Sequence, residues 1–236
     1  MWLTVDYEPV AAFGLRPSNT TSSGGKSLLV PTPYAIKMAL LDVAIRLDGL
    51  EQGQALFEAV RDLTIYARVP LAVAVTRTFQ KVLRVQTNKK SGEVWNSTIA
   101  QREYCIHTGA LTLALNPPDE LAQDMLRYLA AIRYFGRRGS FVQMVAYDSD
   151  VTEPVDDEAY VNLCQQSTEV RLGMMQLMDD MRPDATFADV STYERKSARA
   201  DGGRVKAYYV ILPYALAHHG HNHTVYERTE ATGGMP

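Results

Sequence analysis

Apolar and polar residues alternate at the start of the chain. Leu3, Val5 and Tyr7 interleave with Thr4, Asp6 and Glu8, a period-two pattern that predicts a strand within Leu3 to Phe13. Residues Arg16 to Lys26 are rich in Ser, Thr, Asn and Gly and read as a loop. Pro31-Thr32-Pro33 then opens a helix, with Thr32 as its cap and Pro33 in the first turn. Ile36, Leu40, Val43 and Leu47 follow at helical spacing, one stripe for the core. Gln52 to Val60 predicts a short second helix, weakened by Gly53. Ile65 to Val75 is apolar and β-branched, the pattern of one strand. Phe79 to Gln86 and Val94 to Ile106 flank the polar turn Thr87 to Gly92 and predict the arms of a long hairpin.

Ala110 to Leu115 predicts another strand, and Asn116-Pro117-Pro118-Asp119-Glu120 a helix start with acids in its first turn. Leu121, Met125, Leu129 and Ile132 carry that helix to a glycine-containing loop, after which Phe141 to Ala146 reads as a strand. Within Asp156 to Met181, Leu172, Met175 and Met178 share helical spacing. The methionines there suit a core or an adaptable contact surface. Ala200 to Gly203 predicts a turn before a late strand at Lys206 to Leu212, and the polar tail is expected to be disordered. The order is βαββαβ: an α+β chain of ferredoxin-like or RRM-like class, with a hairpin elaborated in its middle. The division expected is 1–147 for that domain, with the hairpin at about 76–107, and 148–236 for a C-terminal extension.

Composition narrows the class. At 236 residues and 46% hydrophobic, the chain can bury a full core. No apolar run nears the roughly 20 residues of a membrane helix, and the N-terminus lacks the basic and apolar regions of a signal peptide. Cys105 and Cys164 stand in unrelated contexts, which suits a reducing cytoplasm without a disulfide. The net charge of −3 hides an asymmetry. From Thr76 to His107 the bases Arg77, Lys81, Arg84, Lys89, Lys90 and Arg102 face two acids, a balance of +4. From Asp148 to Asp189 eleven acids face Arg171 and Arg182, a balance of −9. A local basic surface matters more to a nucleic-acid partner than the whole-chain sum.

The candidate chemistry is for binding. In Arg133-Tyr134-Phe135-Gly136-Arg137-Arg138-Gly139-Ser140 two glycines bracket two arginines. Such a turn can form an anion-binding concavity, to which the guanidinium forks add phosphate contacts; the plainer reading is a helix C-cap glycine and a solvated turn. The hairpin reads either as a solvated, aggregation-resistant edge or as a finger that touches nucleic acid, with Trp95 or Phe79 free to stack. His218-His219-Gly220-His221-Asn222-His223 lacks a standard zinc spacing and reads as a polar loop or an adventitious metal site. His107, placed near Tyr104, Lys81 and Cys105 on this reading, offers acid–base attack on an RNA 2′-hydroxyl as the catalytic alternative to a structural histidine. Gly25-Lys26-Ser27 resembles the end of a Walker A loop, but Thr20 stands where that motif needs glycine. With no RNP1-type aromatic motif, an ordinary RRM surface is not expected. No catalytic residue, metal or cofactor is expected.

These stretches together resemble the CRISPR RAMP superfamily. Phe135 to Phe141 is similar to its glycine-rich loop, and Leu28 to Tyr34 to the proline-containing approach to the first helix of the Cascade subunit called Cas-five. Ala100-Gln101-Arg102-Glu103-Tyr104 resembles the return arm of that subunit's thumb hairpin. The resemblance covers about residues 1 to 147. It implies a non-catalytic subunit that grips the 5′ handle of CRISPR RNA and caps a filament, touching the backbone and large subunits and, as a further expectation, target DNA near the PAM end. Gly136, Arg137, Arg138, Gly139, Ser140 and Arg133 would face the handle. Arg77, Lys81, Arg84, Lys89, Lys90, Trp95 and Arg102 would belong to the thumb. The rival expectations are a repeat-processing endoribonuclease of the same superfamily and a ferredoxin-like protein-interaction module without RNA.

Overall fold

The computed structural model describes residues 1–20, 25–85, 94–151, 159–168, 172–191 and 205–229. Strand β1 (Trp2–Pro9) alternates as its sequence does, burying Leu3, Val5 and Tyr7. After the first loop comes α1 (Pro33–Asp48), capped by the Thr32 hydroxyl, which accepts from the Ala35 amide at 3.2 Å. Ile36, Leu40 and Val43 are buried, but Leu47, at the last turn of the helix, is exposed. Gly49 ends α1 with a positive φ and leads directly into α2 (Leu50–Asp62), longer than its sequence pattern at both ends.

The apolar run Ile65 to Val75 is two strands. β2 (Ile65–Arg68) and β3 (Ala72–Val85) lie in different sheets. Pro70, with no N–H to give a ladder, marks the crossing. The C-terminal segment holds the crossing: Tyr214 donates its hydroxyl to the Pro70 carbonyl, and Arg228 donates to Val69 O. β3 pairs along its length with β4 (Trp95–Thr108), the predicted hairpin extended at its base. β5 (Leu111–Leu115), a 3-10 turn at Asp119–Leu121, α3 (Ala122–Ala130) and β6 (Val142–Val151) complete the first part.

Beyond β6 the structure departs from the sequence reading. β7 (Tyr160–Asn162) is a short strand, and of the helix expected within Asp156 to Met181, whose residues 156–158 and 169–171 lie outside the described ones, the end is instead β8 (Met174–Met181), paired with β9 (Val205–Leu212). The true period is two: Gln176, Met178 and Asp180 point inward. Two of those inward residues are polar, which disguised the alternation. Their partners come from elsewhere: Gln176 accepts from the Leu29 amide at 2.7 Å and donates to Val30 O, and Asp180 pairs with Lys37. A four-residue helix, α4 (Phe187–Val190), follows β8, and β10 (Tyr214–His219) and β11 (His223–Arg228) end the described chain. The turns expected at Thr87 to Gly92 and Ala200 to Gly203, and the tail from 230, lie outside the described residues.

The chain is thus mixed α+β and rich in sheet. One sheet runs β6-β1-β5-β2-β7, antiparallel throughout, with β5 buried along its whole length. A second runs β10-β11-β3-β4, and β8 and β9 form a third. β11 covers β3 from Ala72 to Thr76, and beyond that point the β3–β4 hairpin extends without a third strand among the described residues.

Candidate nucleic-acid interface

The glycine loop is not a helix cap. α3 ends at Ala130, and Ile132 and Phe135 are buried before Gly136 is reached. Phe135 meets Tyr7 edge-on at 5.1 Å, while the Tyr7 hydroxyl donates to Leu129 O. Val142 N donates to Arg133 O and Ser140 N to Arg137 O, closing a tight bend. Gly136 and Gly139 have φ of 68° and 103°, conformations that favour glycine. At Gly136 a side chain would also strike Leu15. Arg133 and residues 136–139 are exposed. Ser140 is buried: its hydroxyl accepts from the Gly14 amide at 3.1 Å. Its side chain braces the loop rather than facing solvent.

Arg137 reaches back to the hairpin. Its guanidinium donates to the Tyr104 hydroxyl at 3.4 Å and lies 5.7 Å from the ring centre. Burial alone would raise the Tyr104 pKa, but hydrogen bonds from Arg137 and Gln80 and the charges of Arg137 and Arg102 together bring it below the usual value. Beside this pair lies a groove of about 500 Å³, where Arg137 and Gly136 meet Arg102, Arg16 and Lys26. Arg16 and Lys26 were not among the sequence candidates. The available signal was Gly25-Lys26-Ser27, set aside as a failed nucleotide motif. Gly25 is there for packing: its carbonyl accepts from Glu103 N at 2.8 Å, and a side chain would collide with the backbone at Gln101.

The hairpin is less uniformly cationic than its composition suggests. Arg77 is exposed but paired with Glu103 at 3.0 Å. Arg102 donates to the carbonyl of Gln101, and Lys81 is exposed. Arg84 pairs in register with Asn96; Lys89 and Lys90 lie outside the described residues. Register places Phe79, Lys81, Leu83 and Val85 opposite Gln101, Ile99, Ser97 and Trp95, so these side chains share one face. Phe79, Leu83, Val85, Trp95 and Ile99 are each more than half exposed there. An apolar stripe therefore runs along the finger, crossed by Lys81.

The histidines divide. His107 holds the Leu29 carbonyl at 2.7 Å, so its Nε2 carries the proton, and Nδ1 is buried without a partner. Burial lowers its pKa more than the bond to Leu29 raises it. Tyr104 lies an odd number of residues away on the same strand and so points to the other face. Lys81 pairs at Ile99, about 26 Å along the strand from His107 at 3.3 Å per residue. The Tyr104, Lys81 and His107 constellation is not assembled. In the β10–β11 turn His218 and His223 stack with ring centres 5.2 Å apart, and His219 contacts the Thr224 hydroxyl. Among the described residues no group of three or more potential metal ligands is present.

No family model matches the chain. Over 206 residues, 84% of this chain and 87% of its relative, the sequence is 24% identical to CRISPR-associated protein Cas5 of Archaeoglobus fulgidus. A crystal structure of a CRISPR protein from the same organism aligns over 97% of this chain and 92% of its own, with a TM-score of 0.41 and 11% identity. A chain of a CRISPR RNA-guided surveillance complex aligns over 98% and 92%, with a TM-score of 0.45 and 14% identity. Those overlaps in shape are loose, and the sequence match carries the relationship. The resemblance drawn from the glycine loop, the helix approach and the hairpin thus has its counterpart along most of the chain, which is similar in sequence to a CRISPR-associated protein Cas5.

Proposed function

We propose that the chain is a non-catalytic, guide-RNA-binding subunit of a CRISPR effector complex, gripping the 5′ handle of CRISPR RNA. The carrying observation is the convergence of Arg137, Arg102, Arg16 and Lys26 on one groove beside the glycine loop, in a chain similar in sequence to a Cas5. Four cations against one acid, Glu103, in one groove suit a phosphodiester backbone, which is held through its charges whatever its sequence. The order β6-β1-β5-β2, with α1 and α3 as its crossovers, supports a ferredoxin-like RAMP reading of residues 1–147, with 148–236 as an extension woven onto it.

The apolar finger supports the partner part of the reading. Trp95 and Phe79 can stack on bases, but Leu83, Val85 and Ile99 have no π-face and gain most from a protein neighbour. A backbone subunit of the filament is the partner proposed for that face, and the large subunit for another surface. The binding roles of Arg133, Arg138, Arg84, Lys89 and Lys90 belong to the same proposal.

Arg137→Ala with Arg138→Ala should weaken binding of a handle-bearing RNA by about tenfold or more, since a hydrogen bond to a charged group contributes on the order of 1.5–3 kcal/mol. The slope of log affinity against log salt should also shallow by about 0.7 for each phosphate of a single strand that the variant no longer neutralises. Filter binding across a salt series measures both. Unchanged affinity and slope would refute the assignment of this loop to RNA.

A further inference from the structure

A second groove, of about 490 Å³, lies between β8 and the β10–β11 turn. Its walls include Met175 on one side and His219 and His221 on the other, with Tyr226, Lys26 and Arg77 between. Its size falls within the range of small-ligand sites. The turn that carries the histidines is docked onto the base of the hairpin: the Asn222 carbonyl accepts from the Arg77 amide at 3.2 Å and the Thr76 hydroxyl at 3.4 Å. The turn closes on itself through Gly220 N to His223 O at 2.9 Å. Glu103 is the acid on the wall, and both of its oxygens are engaged, one by Arg77 and the other by the Ser27 amide. Its charge is therefore partly met before any ligand arrives.

The two grooves share walls. A smaller depression, lined by Gly25, Lys26, Arg77, Gln101, Arg102 and Glu103, has walls in common with both. Lys26 lines all three spaces, and Arg77 lines the depression and the second groove. Arg137, Arg102, Lys26 and Arg77 therefore follow one another toward the histidine turn, with Glu103, paired to Arg77, as the one acid on these walls among the described residues. A single strand has phosphates at every step, and a continuous cationic groove is the shape that tracks it. At the far end the chemistry changes: the Met175 thioether and the Tyr226 ring offer apolar and π surface for a base, and the imidazoles offer hydrogen bonds to its edge or to phosphate.

We infer that the groove between β8 and the histidine turn is a nucleotide-binding subsite for single-stranded RNA, continuing the track that starts at the glycine loop. This rests on the RNA-binding reading above and extends it to Lys26, His219, His221 and Met175. A histidine run with no metal spacing acquires a use here, as does an exposed methionine opposite it.

The test is photocrosslinking of the full chain, in its coexpressed complex, to a single-stranded RNA carrying 4-thiouridine at successive positions. Crosslinks are expected at the glycine loop from one set of positions and at residues 219–226 or Met175 from positions further along. His219→Ala with His221→Ala should lower affinity about fivefold and abolish the second set while sparing the first. Because His219 also braces the turn through Thr224, Met175→Glu serves as the independent variant: it places a negative charge on the opposite wall and should have the same effect. Crosslinks at the loop alone, with both variants binding as the parent does, would overturn the subsite and leave the RNA-binding function standing. Absence of crosslinks at both places would overturn the two together. Loss of complex assembly by Met175→Glu, with RNA binding intact, would mark the groove as a protein contact and overturn the subsite.

Discussion

At the scale of single residues, the site depends on residues that hold the glycine loop in place from beneath. Ser140 ties the glycine loop to Gly14, Phe135 seats it on Tyr7, and Gly136 lets it lie against Leu15. These contacts aim Arg137 at Tyr104. His107 plays a similar part for the approach to α1, holding Leu29 O with one nitrogen while the other is buried and unpartnered. Since burial holds its pKa below 6.5, the folded chain keeps it neutral where the unfolded chain begins to take a proton. The unfolded state then binds more protons, so this group costs stability as pH falls below about 6.5 and costs nothing above it. His107→Gln keeps a donor for Leu29 without titrating. Urea midpoints between pH 5 and 7 should fall less steeply with acid in that variant than in the parent. Parallel curves would show that His107 does not set the slope.

At the scale of elements, local signals were legible and tertiary ones were not. The Thr32 cap, the two hairpin arms and the helix before the glycine loop all declare themselves within a few residues, and the structure has them there. β8 did not, because Gln176 and Asp180 sit at inward positions where a strand pattern calls for apolar residues. The grooves were legible only in part. Arg137 and Arg102 stood out by their motifs, whereas Arg16 and Lys26 sit in a loop whose position is set by contacts with β4 and β8. The same buried polar residues that hid β8 dock it. Lys37 and Asp180, both 2% exposed, pair at 2.7 Å, and Lys37 also donates to Arg61 O. Removing one partner of a buried pair leaves an uncompensated charge and costs about 3–5 kcal/mol, whereas an apolar pair of similar volume is often tolerated. Asp180→Ala should therefore destabilise the chain by about that amount in chemical denaturation, and Lys37→Met with Asp180→Leu should recover much of it. A double variant as unstable as the single one would mean that the pair contributes more than charge compensation. Asp180→Ala should also loosen β8, which forms a wall of the second groove.

At the scale of the whole molecule, strands from beyond residue 148 pair with or pack on elements from before it. β7 extends the sheet of β1, β11 extends the sheet of the hairpin, and β8 clamps the approach to α1. Among the described residues, the finger carries a row of large apolar side chains on one face that nothing covers. A monomer rarely exposes five large apolar side chains along one strand-pair face, and such a stripe marks a contact surface. The stripe separates two parts of the proposed function that composition merged. On the proposed function, RNA contact would belong to the groove at the finger's base, where Arg137, Arg102, Arg16 and Lys26 gather, and subunit contact to the apolar face further out. Leu83→Asp with Ile99→Asp tests that division, because both residues are more than half exposed and their replacement leaves the core untouched. Copurification with the backbone subunit should fall by at least about tenfold, the effect expected when central apolar contacts of an interface are removed. RNA affinity of the isolated chain should stay within about twofold of the parent, with an unchanged melting temperature. If RNA affinity fell as far as assembly did, the stripe would be part of the nucleic-acid surface, and the division between base and tip would have to be given up.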